Sequence, residues 1–249
     1  MNEEQQLVRT LEEVSMNAWP AVETMLYDGW ILRFSGGYTR RANSINPLYP
    51  STRDIAVKIE HCRQVYRANA LRPVYKLTSY VYPDDLDTVL DNHGYHREAQ
   101  TSVQILSLDA YQNENDPSVI LSEHVDARWV RRFIAMNNVS DRYSNIITSM
   151  LGRIAMPRCF ASIEHDDELI ACGIGVKEER KIGLFDIVVD PHHRKKGFGN
   201  RMVHSILNWA CRQQADLAYL QVMCDNAPAL VMYDKIGFNE AYRYWYRVG

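Results

Sequence analysis

The chain has 249 residues, with 28 Lys and Arg against 31 Asp and Glu, a formal net charge of −3 and 46% hydrophobic residues. That balance argues against a general nucleic-acid or anionic-membrane binder, and apolar runs such as residues 169–176 fall far short of a membrane span. A start without the basic and apolar segments of a signal peptide, and cysteines at 62, 159, 172, 211 and 224 with no Cys-x-x-Cys, lead us to expect a reduced, cytoplasmic protein without a metal site.

Residues 2–17 read as a helix with Leu7, Leu11 and Val14 on one face. Residues 30–34 and 38–45 read as strands joined at Ser35-Gly36-Gly37, a hairpin signal. A helix over 54–69 and a strand over 74–77 follow. A short helix then runs from Pro83-Asp84-Asp85 to Gly94, where glycine suits a left-handed C-cap, and a strand covers 100–108. These elements make a first domain over 1–110, and the polar, turn-rich segment 111–117 reads as a linker.

The second domain, 118–249, is expected to open with a strand at 119–121 and helices near 126–137 and 141–156. Strands at 158–165 and 168–176 flank Asp166-Asp167. Then come a strand over 182–189, a helix over 200–214, a strand over 217–223, a helix over 227–236 and a strand over 240–248. Antiparallel strands followed by a β-α-β-α-β run predict an α/β, layered fold: a mixed, mostly antiparallel sheet flanked by helices.

The segment Asp186-Ile-Val-Val-Asp-Pro-His-His-Arg-Lys-Lys-Gly-Phe-Gly199 has the order strand, glycine turn, helix. A helix start offers unpaired N–H groups and a positive dipole end, so it suits an anion. Gly197 and Gly199 admit close backbone approach, and Arg194, Lys195 and Lys196 add positive charge. A pyrophosphate is the expected ligand. Dinucleotide-fold and P-loop patterns fit less well, because Met202 stands at the third glycine position and no Gly-Lys-Ser/Thr follows.

The pattern Arg-x-x-Gly-x-Gly after an apolar strand resembles the acyl-CoA-binding motif of the GNAT superfamily of N-acetyltransferases. Asn226-Ala-Pro-Ala-Leu-Val-Met-Tyr-Asp-Lys-Ile-Gly-Phe238 resembles the next block of that family, and the likeness covers roughly 117–249. It implies acetyl-CoA as co-substrate and direct attack by an amine, without a metal. By the same resemblance, main-chain groups of Ile187, Val188 and Val189 line the pantetheine arm. One N–H there, at Val188 or Val189, polarises the thioester carbonyl. N–H groups from Lys195 through Gly197, Phe198 and Gly199 to Asn200 surround the pyrophosphate, with Arg194 and Lys196 beside them. Asn226 bonds the pantetheine or caps the following helix. Tyr233 is the acid for the leaving thiolate.

Asp186 interrupts the apolar run 184–189, so it is either a base for the incoming amine or a carboxylate held by an arginine or a backbone N–H. Glu164 is a second candidate base, and His192 and His193 read as facing solvent or phosphate. In the first half, Arg40 and Arg41 on strand 38–45 suit a substrate carboxylate or a solvated edge. Tyr242, Tyr244 and Tyr246 either line an acceptor pocket or pack.

Segments 86–95 and 230–238 echo each other, each ending in Gly-aromatic, which points to a degenerate GNAT-like first half. Its turn 46–52 has no glycine, and Leu90 takes the place of Tyr233, so that half is not expected to bind acyl-CoA. The expected activity is acetyl transfer to a primary amine of a small molecule or amino acid, with neither nucleic acid nor membrane as partner; a homodimer is compatible with the sequence. Two readings compete: acetylation of a protein lysine or N-terminal amine, and a non-catalytic acyl-CoA-binding regulatory module.

Overall fold

In the computed structural model, which describes residues 2–249, helix α1 (Glu3–Ala18) begins at Asn2, which forms a capping box with Gln5. Val8, Leu11, Val14 and Ala18 make its buried stripe. Strands β1 (Glu23–Tyr27) and β2 (Trp30–Phe34) then pair antiparallel around Asp28-Gly29. Both turn residues have positive φ, 44° and 82°, as a two-residue hairpin turn of the primed type requires.

The hairpin expected at Ser35-Gly36-Gly37 therefore lies one strand earlier, and residues 38–45 do not form a strand. Asn43 is the cause. Its Oδ1 accepts from the Ser35 and Gly37 N–H groups at 2.7 and 2.9 Å. Its Nδ2 donates to the Tyr38 and Thr39 carbonyls at 2.6 and 2.9 Å. These local bonds take backbone groups that a ladder would need. A 3₁₀ turn at Arg40–Ala42 results, and only β3 (Ile45–Asn46) is extended. Arg40 pairs with Glu98 and Arg41 lies 4.9 Å over Trp19, so the two arginines do not form one strand-borne clamp.

A Cβ at Gly29 would sit 2.2 Å from the Pro50 carbonyl oxygen and 2.7 Å from that of Tyr49. Both obstacles are backbone. Gly29→Ala should lose about 1–3 kcal/mol from the left-handed conformation alone, with the clash adding to it. A urea midpoint unchanged from wild type would contradict this account.

The chain continues through α2 (Ile55–Ala68), β4 (Val74–Thr78), α3 (Leu86–Asn92), β5 (His96–Ser107), β6 (Val119–Ser122), α4 (Ala127–Met136) and α5 (Ser144–Gly152). Next are β7 (Arg158–His165), β8 (Glu168–Glu178), β9 (Lys181–Val189), α6 (Phe198–Arg212), β10 (Leu217–Met223), α7 (Ala227–Ile236) and β11 (Asn239–Val248). No helix among the described residues is long and apolar enough to cross a membrane.

Two compact units result. The first runs to Val103 and also takes in Val222–Ala227 and Glu240–Gly249. Its strands lie in the order β1-β2-β3-β4-β11-β5, so the last strand of the chain is inserted beside β4. Trp30, Leu32, Ile45, Ile59, Tyr66, Tyr75 and Leu77 form its core. Buried charge accompanies them: Lys76 Nζ donates to Glu12 at 2.5 Å, and Tyr242 donates to the same carboxylate at 2.8 Å. Tyr242, Tyr244 and Tyr246 are all buried, and they pack within this unit rather than opening on a pocket.

The second unit, Gln104–Gln221 with Pro228–Asn239, orders its strands β10-β9-β8-β7-β6. Helix α6 lays Met202, Val203, Ile206, Leu207 and Ala210, all fully buried, on β7, β8 and β9. Gly173 and Gly175 make room for it. A Cβ on them would come within 2.8 Å of Met202 Sδ and 2.6 Å of Ile206 Cγ2. This close seating fixes the helix whose N-terminus is the candidate anion site.

Candidate active site

Strand β9 runs antiparallel to β8 with Ile174 opposite Phe185 and Cys172 opposite Val188. One residue, Gly173, thus faces two, Asp186 and Ile187. This is a β-bulge, and it bends the strand and re-aims its backbone. Asp186 adopts a left-handed conformation, φ 50°, which a short polar side chain tolerates better than most. The parallel ladder between β9 and β10 is confined to Lys181–Leu184 and Leu217–Leu220. It stops where the bulge begins, so the backbone of Ile187, Val188 and Val189 continues beyond it on the β10 side. The Val189 carbonyl already accepts from Arg194 Nε at 3.2 Å.

After β9 the Asp190 side chain caps a 3₁₀ turn at Pro191–His193, accepting from the His192 N–H at 2.9 Å. Arg132 binds that carboxylate at 3.2 Å and His193 Nδ1 lies 3.7 Å from it. Arg194, Lys195, Lys196 and Gly197 are exposed, and Lys195 and Gly197 have φ values of 62° and 83°. Gly197 is the N-cap of α6 and supplies no side chain to it. The first intrahelical bond is from the Arg201 N–H to the Gly197 carbonyl, 3.1 Å. The N–H groups of Phe198, Gly199 and Asn200 are therefore directed out at the positive end of a 15-residue helix. Beside them, a Cβ on Gly199 would lie 3.3 Å from Met232 Sδ and 3.8 Å from Val189 Cγ2. Strand β9, the glycine turn and α7 thus converge at one point.

Tyr233 on α7 is buried, with 8% of its surface exposed, and its ring meets Phe238 edge-on at 5.8 Å. Burial pushes its hydroxyl up to about 12, and the negative charge of Asp186 adds to the shift. The same carboxylate reinforces the effect of burial on the Cys172 thiol, which is raised well above its ordinary value. Asp186, half-buried in the bulge, is therefore electrostatically coupled to Tyr233.

Glu164 is held in an ion pair with Arg128 at 2.8 Å. Asn226 is exposed in the turn before α7, where its N–H donates to the Met223 carbonyl at 3.0 Å. It is counted with the first compact unit, whereas the other candidate residues fall in the second. Among the described residues no three His, Cys, Asp or Glu side chains group as metal ligands would. Reading the sequence missed the bulge, although an Asp inside an apolar run was its visible trace.

An uncapped helix start, a glycine hemmed in by β9 and α7, and a strand freed from its neighbour together fit the pyrophosphate and arm of a coenzyme A thioester. The family described as "Probable histone acetyltransferase Rv0428c C-terminal" matches residues 6–247. The chain belongs to this GNAT acetyltransferase family. The acetyltransferase is 27% identical over 246 residues to the uncharacterized N-acetyltransferase YobR of Bacillus subtilis, covering 97% of this chain and 98% of that protein. Over 129 residues it is 32% identical to the probable histone acetyltransferase Rv0428c of Mycobacterium tuberculosis, covering 51% of this chain and 38% of that one. A solved GCN5-related N-acetyltransferase from Kribbella flavida shares the fold, with a TM-score of 0.69 at 13% identity over 96% of this chain and 94% of its own. The expected α/β class, with a mixed and mostly antiparallel sheet flanked by helices, is the fold of this GNAT enzyme.

Proposed function

We propose that this acyltransferase moves an acetyl group from acetyl-CoA to a primary amine of a small molecule or amino acid by direct attack. The observation that carries the cofactor half is the uncapped first turn of α6, open beside Gly199. Acetyl-CoA supplies the activated acyl group, and the protein's part is holding and aligning two reactants. Phe198, Gly199 and Asn200 N–H groups bind the pyrophosphate, with Lys195, Lys196 and Gly197 forming the approach. Backbone of Ile187, Val188 and Val189 carries the arm past the bulge, and a bulge N–H polarises the thioester carbonyl. Asp186 accepts the proton released as the amine becomes an amide. The Tyr233 hydroxyl faces the departing sulfur, and Asn226 supports the arm or the start of α7.

Helix α4 supports a small acceptor that carries its own negative charge. It packs on β8 and β9 and presents Arg128, Arg131 and Arg132, the last bound to Asp190 directly after β9. Two of these cations are already paired, Arg128 with Glu164 and Arg132 with Asp190, so the exposed Arg131 is the one that suits an amino acid carboxylate and disfavours a Lys-rich protein tail. The name of the Mycobacterium tuberculosis relative favours the second reading, a protein acceptor. Turnover with a panel of free amino acids, amines and lysine-containing peptides tests the choice. Peptides succeeding where every free amine fails would reverse it, and acetyl-CoA binding without any turnover would favour a regulatory module.

We also propose that the first half is a degenerate copy that does not bind acyl-CoA. The order β3-α2-β4-α3-β5 parallels β9-α6-β10-α7-β11, and β3 pairs parallel to β4 at Ile45 and Tyr75. The start of α2, however, is already taken by a carboxylate: Asp54 accepts from the Ala56 and Val57 N–H groups at 2.9 and 3.1 Å. An anion in that place is excluded by charge as well as by occupancy.

Arg194→Ala should weaken acetyl-CoA binding only about 2–5-fold, since an exposed ion pair contributes about 0.2–1 kcal/mol. Calorimetric titration measures it. A loss as large as that of a glycine-turn variant would mean that the side chain, not the backbone, holds the phosphates.

A further inference from the structure

Residues 111–118 run along α6 and are tied to it at four successive positions. Arg201 binds Asp116 with both Nε and Nη2, the latter at 3.1 Å, and Nη2 also donates to Ser118 Oγ. Tyr111 Oη meets His204 Nδ1 at 2.5 Å, Asn208 Nδ2 donates to the Glu114 carbonyl at 3.1 Å, and Arg212 donates to Asn115 Oδ1 at 3.1 Å. Positions 201, 204, 208 and 212 form one stripe of the helix. Asp116 is itself fixed, accepting from the Ser118 N–H at 2.9 Å and Ser118 Oγ at 2.7 Å just before β6 begins.

The first of these ties has a second property: it lies at the cofactor end. Arg201 is the first residue of α6 whose N–H is satisfied within the helix, and its guanidinium sits 5.3 Å from the centre of the Phe198 ring in the glycine turn. A cation in the first turn opposes the helix dipole, and a carboxylate in the same place repels a pyrophosphate. As a pair they cancel and still anchor the turn.

We propose that Asp116 and Arg201 are a positioning pair for the pyrophosphate site, an inference that rests on the acetyl-CoA reading of the α6 start. Arg201 holds the first turn against the β6 end of the sheet and masks the Asp116 charge from the cofactor. The two roles give an asymmetric signature. Removing Arg201 exposes a fixed carboxylate beside the anion site, whereas removing Asp116 frees a cation that phosphate welcomes. A tie that serves stability alone has no such sign.

The test is acetyl-CoA titration of the full chain, with steady-state kinetics, at low and high salt. Arg201→Ala should weaken binding roughly tenfold at low salt, with kcat at saturating acetyl-CoA within about threefold of wild type. Asp116→Ala should weaken it less. Combining Asp116→Ala with Arg201→Ala should bind more tightly than Arg201→Ala alone, because the repelling charge is gone, and high salt should shrink the Arg201→Ala defect. The isosteric pair Asp116→Asn with Arg201→Gln keeps the question open to measurement if the alanine variants fail to fold; it should bind acetyl-CoA within about threefold of wild type. Wild-type affinity in Arg201→Ala, or a double variant no better than Arg201→Ala, overturns the proposal. If Gly199→Val leaves acetyl-CoA affinity unchanged, the reading of the α6 start fails instead. If Gly199→Val abolishes binding and Arg201→Ala does not weaken it, only the positioning role is lost.

Discussion

Gly199→Val is expected to abolish acetyl-CoA binding in a chain that still folds. Gly199 lies at the N-terminal end of the α6 stripe of Met202, Val203, Ile206, Leu207 and Ala210, so the substitution adds bulk at the edge of that contact and leaves the five buried side chains in place. At residue 199 itself, a bare Cβ would already press on Met232 Sδ at 3.3 Å and approach Val189 Cγ2 at 3.8 Å. Valine's two methyl groups add further bulk at this crowded point, beside the N–H groups of Phe198, Gly199 and Asn200. In the proposed complex that space holds a pyrophosphate bonded to those N–H groups. Charge-assisted hydrogen bonds contribute about 1.5–3 kcal/mol each, so losing two of them weakens binding by roughly 10²-fold or more. Titration calorimetry gives the affinity, and circular dichroism reports whether the fold is intact. A folded variant with wild-type affinity would remove the basis for placing acetyl-CoA here.

What was legible in the sequence follows from how local each determinant is. The α6 stripe repeats at helical spacing within one segment, and the glycine turn is contiguous, so both could be read directly. The run 184–189 could be read as a strand but not as a bulged one. The bulge is a relation between Asp186-Ile187 and Gly173 on β8, and only the pairing register reveals it. Residues 38–45 read as a strand because they follow the turn signal Ser35-Gly36-Gly37, yet one side chain, Asn43, takes four of the local backbone groups. Asp28-Gly29, a pair that suits the left-handed positions of a two-residue hairpin turn, is a stronger hairpin signal than the glycine pair after it. Insertion of β11 beside β4 is a long-range pairing that no local pattern encodes. Asp116 and Arg201 are 85 residues apart, and a turn-rich polar segment has no sequence mark that says which helix it will bind.

Tyr233→Phe should lower kcat by roughly 10²-fold and leave the KM for acetyl-CoA near wild type. The substitution removes one hydroxyl and keeps the ring, so the edge-on contact with Phe238 at 5.8 Å and the backbone bonds from Gly237 and Phe238 to the Tyr233 carbonyl persist. With its hydroxyl pushed up to about 12 by burial and by Asp186, Tyr233 is protonated throughout the neutral range. It is also a weaker acid than a thiol, whose ordinary value is about 8.5, so complete transfer of its proton to a free thiolate is uphill. In the proposed mechanism the hydroxyl would act instead as a hydrogen-bond donor whose interaction strengthens as negative charge builds on the sulfur. Donors of that kind contribute about 10²–10³-fold, near the lower part of the range for a full general acid. Asp186 has a matching effect on the proton balance. Its charge opposes formation of a tyrosinate beside it, and in the proposed mechanism the same carboxylate would take the proton from the amine. The interaction with sulfur matters only as the bond to carbon breaks, which is why kcat and kcat/KM should fall together. Stopped-flow measurement under conditions where acetyl transfer limits turnover gives the relevant rate. A rate equal to wild type would remove Tyr233 from the chemistry and leave it as a packing residue of α7.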